Sequence, residues 1–377
     1  KFMKEGRPVW LLAHLLLFAM AMLTKENAIA LPILIILYTI LILKGSPRKL
    51  LMPAAGWIVI IVGWALLRAG MLPGDSPLPF SAQLLSVLKN LPAILPFLGK
   101  ILFPFNLSVF PILADMKIPA IQGLAALGLL LAMVLLTREK QWGWYIFAVI
   151  WFLSFLVPTF ISVNDKIPYF SEHRAYLSVV AILMIFLHTP PVKNKAMTGW
   201  KTWFPAAAII IFFGVLTVMH SRHFRDNFSF WQSAVESSPS HAFNYNNLGA
   251  MYYMANDLPN AEKYFRKALN INQYEPMANS NTGLVCMHTD RPAEAEKYYL
   301  EEIRINPLFD HVYYNLGLLY YRYNRTPEAI VQWEKNLEVN PYYTDAYRAL
   351  LHVYRETGQS GKFTATEARA RKHNIRF

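Results

Sequence analysis

Glycine returns every 34 residues late in the chain, at Gly249, Gly283 and Gly317, inside "YNNLGAMYY", "NSNTGLVCM" and "YYNLGLLYY". Ala261, Ala295 and Ala329 keep the same interval, and so do Tyr264 and Tyr298, with Gln332 in the third place. Pro239, Pro307 and Pro341 run in phase, Gln273 replacing the missing proline. Few folds accept such a period. A unit this short cannot bury a core by itself, so neighbouring units must stack and share one. Small residues let two helices of a unit approach closely, and the proline ends the second helix.

The period resembles that of the tetratricopeptide repeat, with two antiparallel helices per unit. The expected fold class is therefore all-α, with an α-solenoid over 220–377. It divides into a half-unit at 224–241, repeats at 242–275, 276–309 and 310–343, and a C-terminal cap at 344–377 that lacks the glycine. An atypical terminal unit with a polar outer face suits the end of a stack.

The first 219 residues follow another rule. Seven apolar runs, near 8–23, 27–43, 51–67, 119–136, 142–158, 175–188 and 203–219, approach the ~20 residues a bilayer asks of a helix. Residues 1–219 hold 18 Lys/Arg against 7 Asp/Glu, and 220–377 hold 18 against 17. The excess of positive charge lies in short gaps between apolar runs, which points to membrane orientation and away from a nucleic-acid partner. Segments 1–7, 44–50, 137–141 and 189–202 carry 11 basic residues in 33 positions, whereas 24–26, 68–118 and 159–174 carry seven in 70. By the positive-inside rule the first set faces the cytoplasm. The repeats and the loops at 24–26 and 159–174 then lie on the extracytoplasmic side. The stretch 84–105 is apolar, but its three prolines and two lysines make it an interfacial or re-entrant element. The expectation is an integral membrane protein with a polytopic helical domain over 1–219. No signal-peptide cleavage site follows the first run, so the start reads as an interior point of a longer chain.

Two charged clusters face outward. Lys25 and Glu26 interrupt the apolar pattern in "AMLTKENAIALP", and Glu172, His173 and Arg174 precede the next run. The first is either a boundary ion pair with a snorkelling lysine or part of a polar site. The second is either a helix start or an anion site, since an arginine fork suits phosphate oxygens. No glycine-rich phosphate loop, nucleophile elbow or zinc-type histidine helix is present. The single Cys286 excludes an intrachain disulfide and a cysteine-built metal site, and no metal is expected.

Four stretches in order, "LTKENAIALP", "LFPFNLSVFPILADMKIP", "WFLSFLVPTFISVNDKIPYFSEHRAYLSVV" and "SRHFRDNFSFWQSAVESSP", followed by the repeats, resemble the transmembrane and tetratricopeptide repeat-containing proteins. Those belong with membrane glycosyltransferases of the GT-C type, related to protein O-mannosyltransferases. The resemblance implies transfer of a sugar, often mannose, from a polyprenyl-phosphate donor to protein hydroxyls on the extracytoplasmic side. It places the protein in a membrane such as the bacterial inner membrane, with no bound cofactor. The family's acidic catalytic loop lies near its N-terminus, and no stretch here matches it, so no catalytic residue is assigned. Lys25, Glu26, Glu172, His173 and Arg174 correspond to later charged positions, and become candidates for holding the donor phosphate. The rival reading is a membrane-anchored tetratricopeptide scaffold for envelope or polysaccharide assembly. Both readings expect contact with membrane lipid and a polypeptide bound by the repeats.

Asn247, Asn281 and Asn315 stand two residues before the repeat glycines, again 34 apart. First helices line the concave face in this fold, where a row of amides suits an extended peptide backbone. The row resembles the asparagine ladder of the O-linked N-acetylglucosamine transferase repeats. The alternative is that each amide bonds within its own helix pair. Tyr253, Tyr314 and Tyr321 are either further groove contacts or packing residues.

Overall fold

A computed structural model of the chain describes residues 8–71, 79–105, 107–161, 175–189 and 200–375. The described residues form helices and turns, without a strand. The chain divides into two compact units, Lys1–Arg222 and His223–Phe377.

The first unit contains α1 (Pro8–Thr24), α2 (Leu31–Leu41), α3 (Leu51–Met71), α4 (Phe80–Asn90), α5 (Ile94–Leu102), α6 (Lys117–Leu136), α7 (Trp142–Leu156), α8 (Val179–Leu187) and α9 (Trp200–Ser221). Five stretches are long and apolar enough to cross a membrane by length and composition: Pro47–Ala69, Phe80–Leu102, Lys117–Leu136, Trp142–Phe160 and Ala207–Phe224. Pro8–Thr24 and Glu26–Leu41 are shorter apolar helices. The stretch expected to be interfacial, 84–105, contributes most of one of the five. A short 3-10 turn at Leu91–Ala93 separates α4 from α5, because Pro92 cannot continue the α-helical ladder.

Polar groups inside this stretch find partners. Ser86 Oγ and Asn90 Nδ2 both donate to the Phe160 carbonyl, at 3.0 and 3.1 Å, and buried Lys100 donates to Ser108 Oγ at 3.1 Å. The backbones of α5 and α6 meet where glycine faces glycine. A Cβ on Gly99 would strike the Pro119 carbonyl, and one on Gly123 the Leu95 carbonyl. Close helix contact through small residues does not depend on a hydrophobic drive between helices.

The apolar run expected at 175–188 yields only the nine residues of α8. Its upstream end is held in turns by α7. Trp151 Nε1 donates to the Leu177 carbonyl at 2.8 Å, and Ser178 Oγ donates to the Phe152 carbonyl at 3.2 Å. His14, inside α1, accepts from Trp57 Nε1 at 2.8 Å.

The second unit comprises α10 (Asn227–Ser237), α11 (Ala242–Met254), α12 (Leu258–Ile271), α13 (Ala278–His288), α14 (Pro292–Ile305), α15 (Asp310–Arg322), α16 (Thr326–Val339), α17 (Thr344–Glu356) and α18 (Ser360–Lys372). From α11 onward they form four antiparallel pairs, and α10 packs on α11 as a half-unit. The periodic glycines sit under large side chains: a Cβ on Gly249 or Gly283 would come within 2.7 Å of the Phe265 or Tyr299 ring, and one on Gly317 would strike Trp333. Ala261, Ala295 and Ala329 are fully buried beside them. A further 34-residue series closes the turns inside each pair. Asn256, Asp290, Asn324 and Gly358 have φ of 59°, 57°, 58° and 67°, the left-handed region that Gly, Asn and Asp tolerate best. The last pair is complete without its glycine, because Leu351 takes that place and is buried. The unit is a tetratricopeptide-like α-solenoid.

Candidate functional site

The first helices of successive repeats touch: α11 approaches α13, and α13 approaches α15. Contact between first helices defines the inner side of the curve, and the sequence-derived groove residues lie along it. Their amides are largely committed within the protein. Asn247 Nδ2 donates to the Phe243 carbonyl of its own helix at 2.8 Å. Asn281 Nδ2 donates across the repeat boundary to Asn246 Oδ1 at 2.9 Å. Asn315 is half-buried and makes no side-chain hydrogen bond to another described residue. The row therefore presents acceptor oxygens at Asn247 and Asn281, and a whole amide at Asn315.

Tyr253 and Tyr321 each reach the following repeat, and Tyr314 reaches the last residue of its own. Tyr253 meets the His288 ring edge-on at 5.7 Å, and Tyr314 lies 5.2 Å from the Tyr343 ring. Tyr321 donates to Glu356 Oε2 at 2.7 Å and lies near His352. The contacts of Tyr253 and Tyr321 align successive repeats, and the partly exposed rings also form part of the inner wall.

The outer side of the stack carries a recurring clasp. Arg291 grips Glu262 through both guanidinium nitrogens, at 3.0 and 2.5 Å, and Arg325 binds Glu296 at 2.8 Å. Both pairs span 29 residues and join one second helix to the turn of the next repeat. Arg266 adds bonds to Glu262 and Glu294 at 2.8 and 3.0 Å, so Arg291 first, and then Arg266, hold the Glu262 carboxyl below its ordinary range. Ligand atoms of Glu262, Cys286 and Glu294 lie within 4.8 Å of one another. Both carboxylates are already neutralised by these guanidiniums, so the arrangement is an inter-repeat tie with no net charge to draw a cation.

Near the N-terminus the charged loop is dispersed among different partners. Glu26 forms its ion pair with Arg68 at the end of α3. Lys25 Nζ lies 5.1 Å from the centre of the Tyr176 ring. Arg68 also stacks against Trp64 at 5.2 Å. Glu172, His173 and Arg174 lie outside the described residues. Arg68 was not singled out in the sequence, since its partner is 42 residues away and no local spacing marks the pair.

A family model described as Tetratricopeptide repeat matches residues 245–273. No curated protein matches the chain. Among solved structures, MamA is similar at 19% identity, covering 41% of this chain and 95% of its own, with a TM-score of 0.37. YrrB, titled a TPR protein with an unusual peptide-binding site, is 20% identical, covering 42% and 80%, with a TM-score of 0.32. The first TPR of Spaghetti (RPAP3), solved with the HSP90 peptide SRMEEVD, is 19% identical, covering 31% and 93%, with a TM-score of 0.30. Residues 245–273 contain a tetratricopeptide repeat, and the helix pairs that follow continue it.

Proposed function

We propose that this chain is a membrane-anchored scaffold whose repeats hold an extended segment of a partner polypeptide. The observation that carries this reading is the inner ridge, where half-buried Asn247, Asn281 and Asn315 recur on a continuous solenoid. Carbonyl oxygens of Asn247 and Asn281 accept from peptide N–H groups, and Asn315 can both donate and accept. Such recognition reads a backbone and leaves side-chain choice to the tyrosines around it. The first unit supplies the anchor through its long apolar helices, with the repeats on the extracytoplasmic side. Transfer of a sugar from a polyprenyl-phosphate donor is supported by the family resemblance alone. Glu26 is already paired with Arg68, and Lys25 is seated on Tyr176, so the described part of that cluster has a structural role.

The test starts with the full chain in lipid nanodiscs and a displayed library of random extended peptides. Enriched peptides should bind the parent protein, and the combined Asn247→Ala, Asn281→Ala and Asn315→Ala variant should bind roughly tenfold more weakly, equal to about 1.4 kcal/mol. Circular dichroism should show unchanged helicity. Equal affinity of parent and variant would make the asparagines purely structural and end the groove assignment.

A further inference from the structure

The inner ridge changes character along its length. In α11, Phe243, Asn247, Ala250 and Met254 fall at helical spacing, so they share one side of the helix. The counterpart around Asn281 runs through Met277, Leu284 and His288. All of these are partly or fully exposed, whereas the intervening Asn246, Leu248, Thr282 and Gly283 are buried. Neither α11 nor α13 contains Asp, Glu, Lys or Arg, although such residues recur along their paired helices α12 and α14. Further along, the same stripe holds His311 and Arg322 beside Asn315, and then Asp345, His352 and Glu356. Those charges have partners within the repeats. Arg322 donates to the Met287 carbonyl at 3.3 Å, Asp345 pairs with Arg348 at 3.2 Å, and Glu356 accepts from Tyr321 at 2.7 Å. The ridge is thus uncharged and largely apolar over its first two repeats, and charged over its last two.

We propose that the first two repeats accept an uncharged, apolar stretch of the partner polypeptide, seated on Phe243, Met254, Met277 and Leu284. The proposal rests on the reading of the ridge as a peptide groove and gives that groove its selectivity. Three features choose this occupant. A charged side chain entering here would leave water without meeting an opposite charge. Methionine is unbranched and polarizable, so Met254 and Met277, 79% and 38% exposed, adjust to apolar side chains of different shape. The acceptor oxygens of Asn247 and Asn281 lie in the same stripe and call for N–H donors. An acyl chain has none, and a helix uses its backbone donors in its own ladder. An extended peptide brings both free N–H groups and apolar side chains.

Packed helices stand about 8–10 Å apart and an extended chain advances roughly 3.5 Å per residue, so two first helices take about five residues. Charged residues of the partner are then tolerated outside this stretch, toward Asn315 and the repeats beyond it.

The full chain in lipid nanodiscs, panned against a displayed library of random peptides, permits a direct test once peptides captured by empty nanodiscs are removed. Enriched sequences should share a stretch of about five residues in which Asp, Glu, Lys and Arg are roughly threefold rarer than in the unselected library. Met254→Glu should bind those peptides roughly tenfold more weakly and, on reselection, enrich Lys or Arg within the stretch. Its exposed position keeps the substitution out of the core, and circular dichroism should show unchanged helicity. Val331→Glu, on α16 and 61% exposed, is the control and should bind as the parent does. Charges spread evenly through the enriched peptides, or Met254→Glu binding as tightly as the parent, would overturn the proposal. If charges are evenly spread while the triple asparagine variant loses binding, the groove stands and its selectivity alone is rejected. A library that yields no peptide bound by the parent rejects the groove and the selectivity together.

Discussion

The two units use the same element and turn it opposite ways. In the repeats, the largest side chains point inward: Phe265, Tyr299 and Trp333 are all at most 1% exposed. In the first unit many apolar side chains point outward, and none of the apolar window Ala207–Phe224 is buried within the protein. A helix apolar on all sides suits lipid or a deep core, and one with a single apolar stripe suits water. The difference also changes what holds helices together. The repeats rely on large rings seated over glycine, while α5 and α6 rely on backbone contact at Gly99 and Gly123.

Removing a ring should be the most damaging change and should affect only one unit. Trp333→Ala is expected to cost about 3–5 kcal/mol. Denaturant unfolding followed by circular dichroism should show the repeats melting early while the first unit keeps its helices. Joint loss of both would break the division of the chain into two units.

Gly123→Leu tests the other kind of packing. The new side chain meets the Leu95 carbonyl, which is backbone and cannot swing aside. A loss of roughly 1–3 kcal/mol is expected, read as a lower midpoint of thermal aggregation in detergent with the repeat transition unmoved. An unchanged midpoint would show that α5 and α6 do not touch there.

Asn324→Val places a β-branched residue at φ 58° and should cost about 1–2 kcal/mol, while Asn324→Gly should be close to neutral. Equal losses in thermal melts would point to the asparagine side chain, and away from the backbone angle, as the source of the effect.

The smallest effect concerns pH. Glu275 and Glu302 are buried near the start of α13, and burial raises both carboxyls above their ordinary range. The folded state then binds more protons than the unfolded state in the window between the ordinary and raised values. Their contribution to stability is fully present below the ordinary carboxylate value and is lost as pH rises through the raised one. Glu275→Gln should accordingly stabilise the repeats at neutral pH by about 1 kcal/mol and flatten that part of the pH profile. Thermal midpoints measured from mildly acidic to neutral pH check the sign, and destabilisation by Glu275→Gln would reject it.

The repeat period alone was enough to place the helix pairs, since glycine, alanine and proline mark points where two backbones meet or one helix stops. The left-handed series at Asn256, Asp290, Asn324 and Gly358 was equally visible as a spacing, yet its meaning appears only with the positive φ. The candidate groove was half legible. The positions of Asn247, Asn281 and Asn315 followed from the period, but the bond from Asn281 to Asn246 depends on how two repeats rotate against each other. The clasp from Glu262 to Arg291 escaped notice for the same reason.

In the first unit, composition marked most of the apolar helices, yet the prolines and lysines of 84–105 concealed one of the five long apolar stretches, and the run at 175–188 gave only nine helical residues. Composition carried no information on which faces meet, since a uniformly apolar helix offers no periodic signal to choose among them. Tertiary packing decided that α8 is short, that Lys100 turns inward to Ser108, and that Glu26 pairs with Arg68. Those outcomes depend on partners distant in the chain, and a single charged or polar residue acquires its role only when folding brings such a partner within reach.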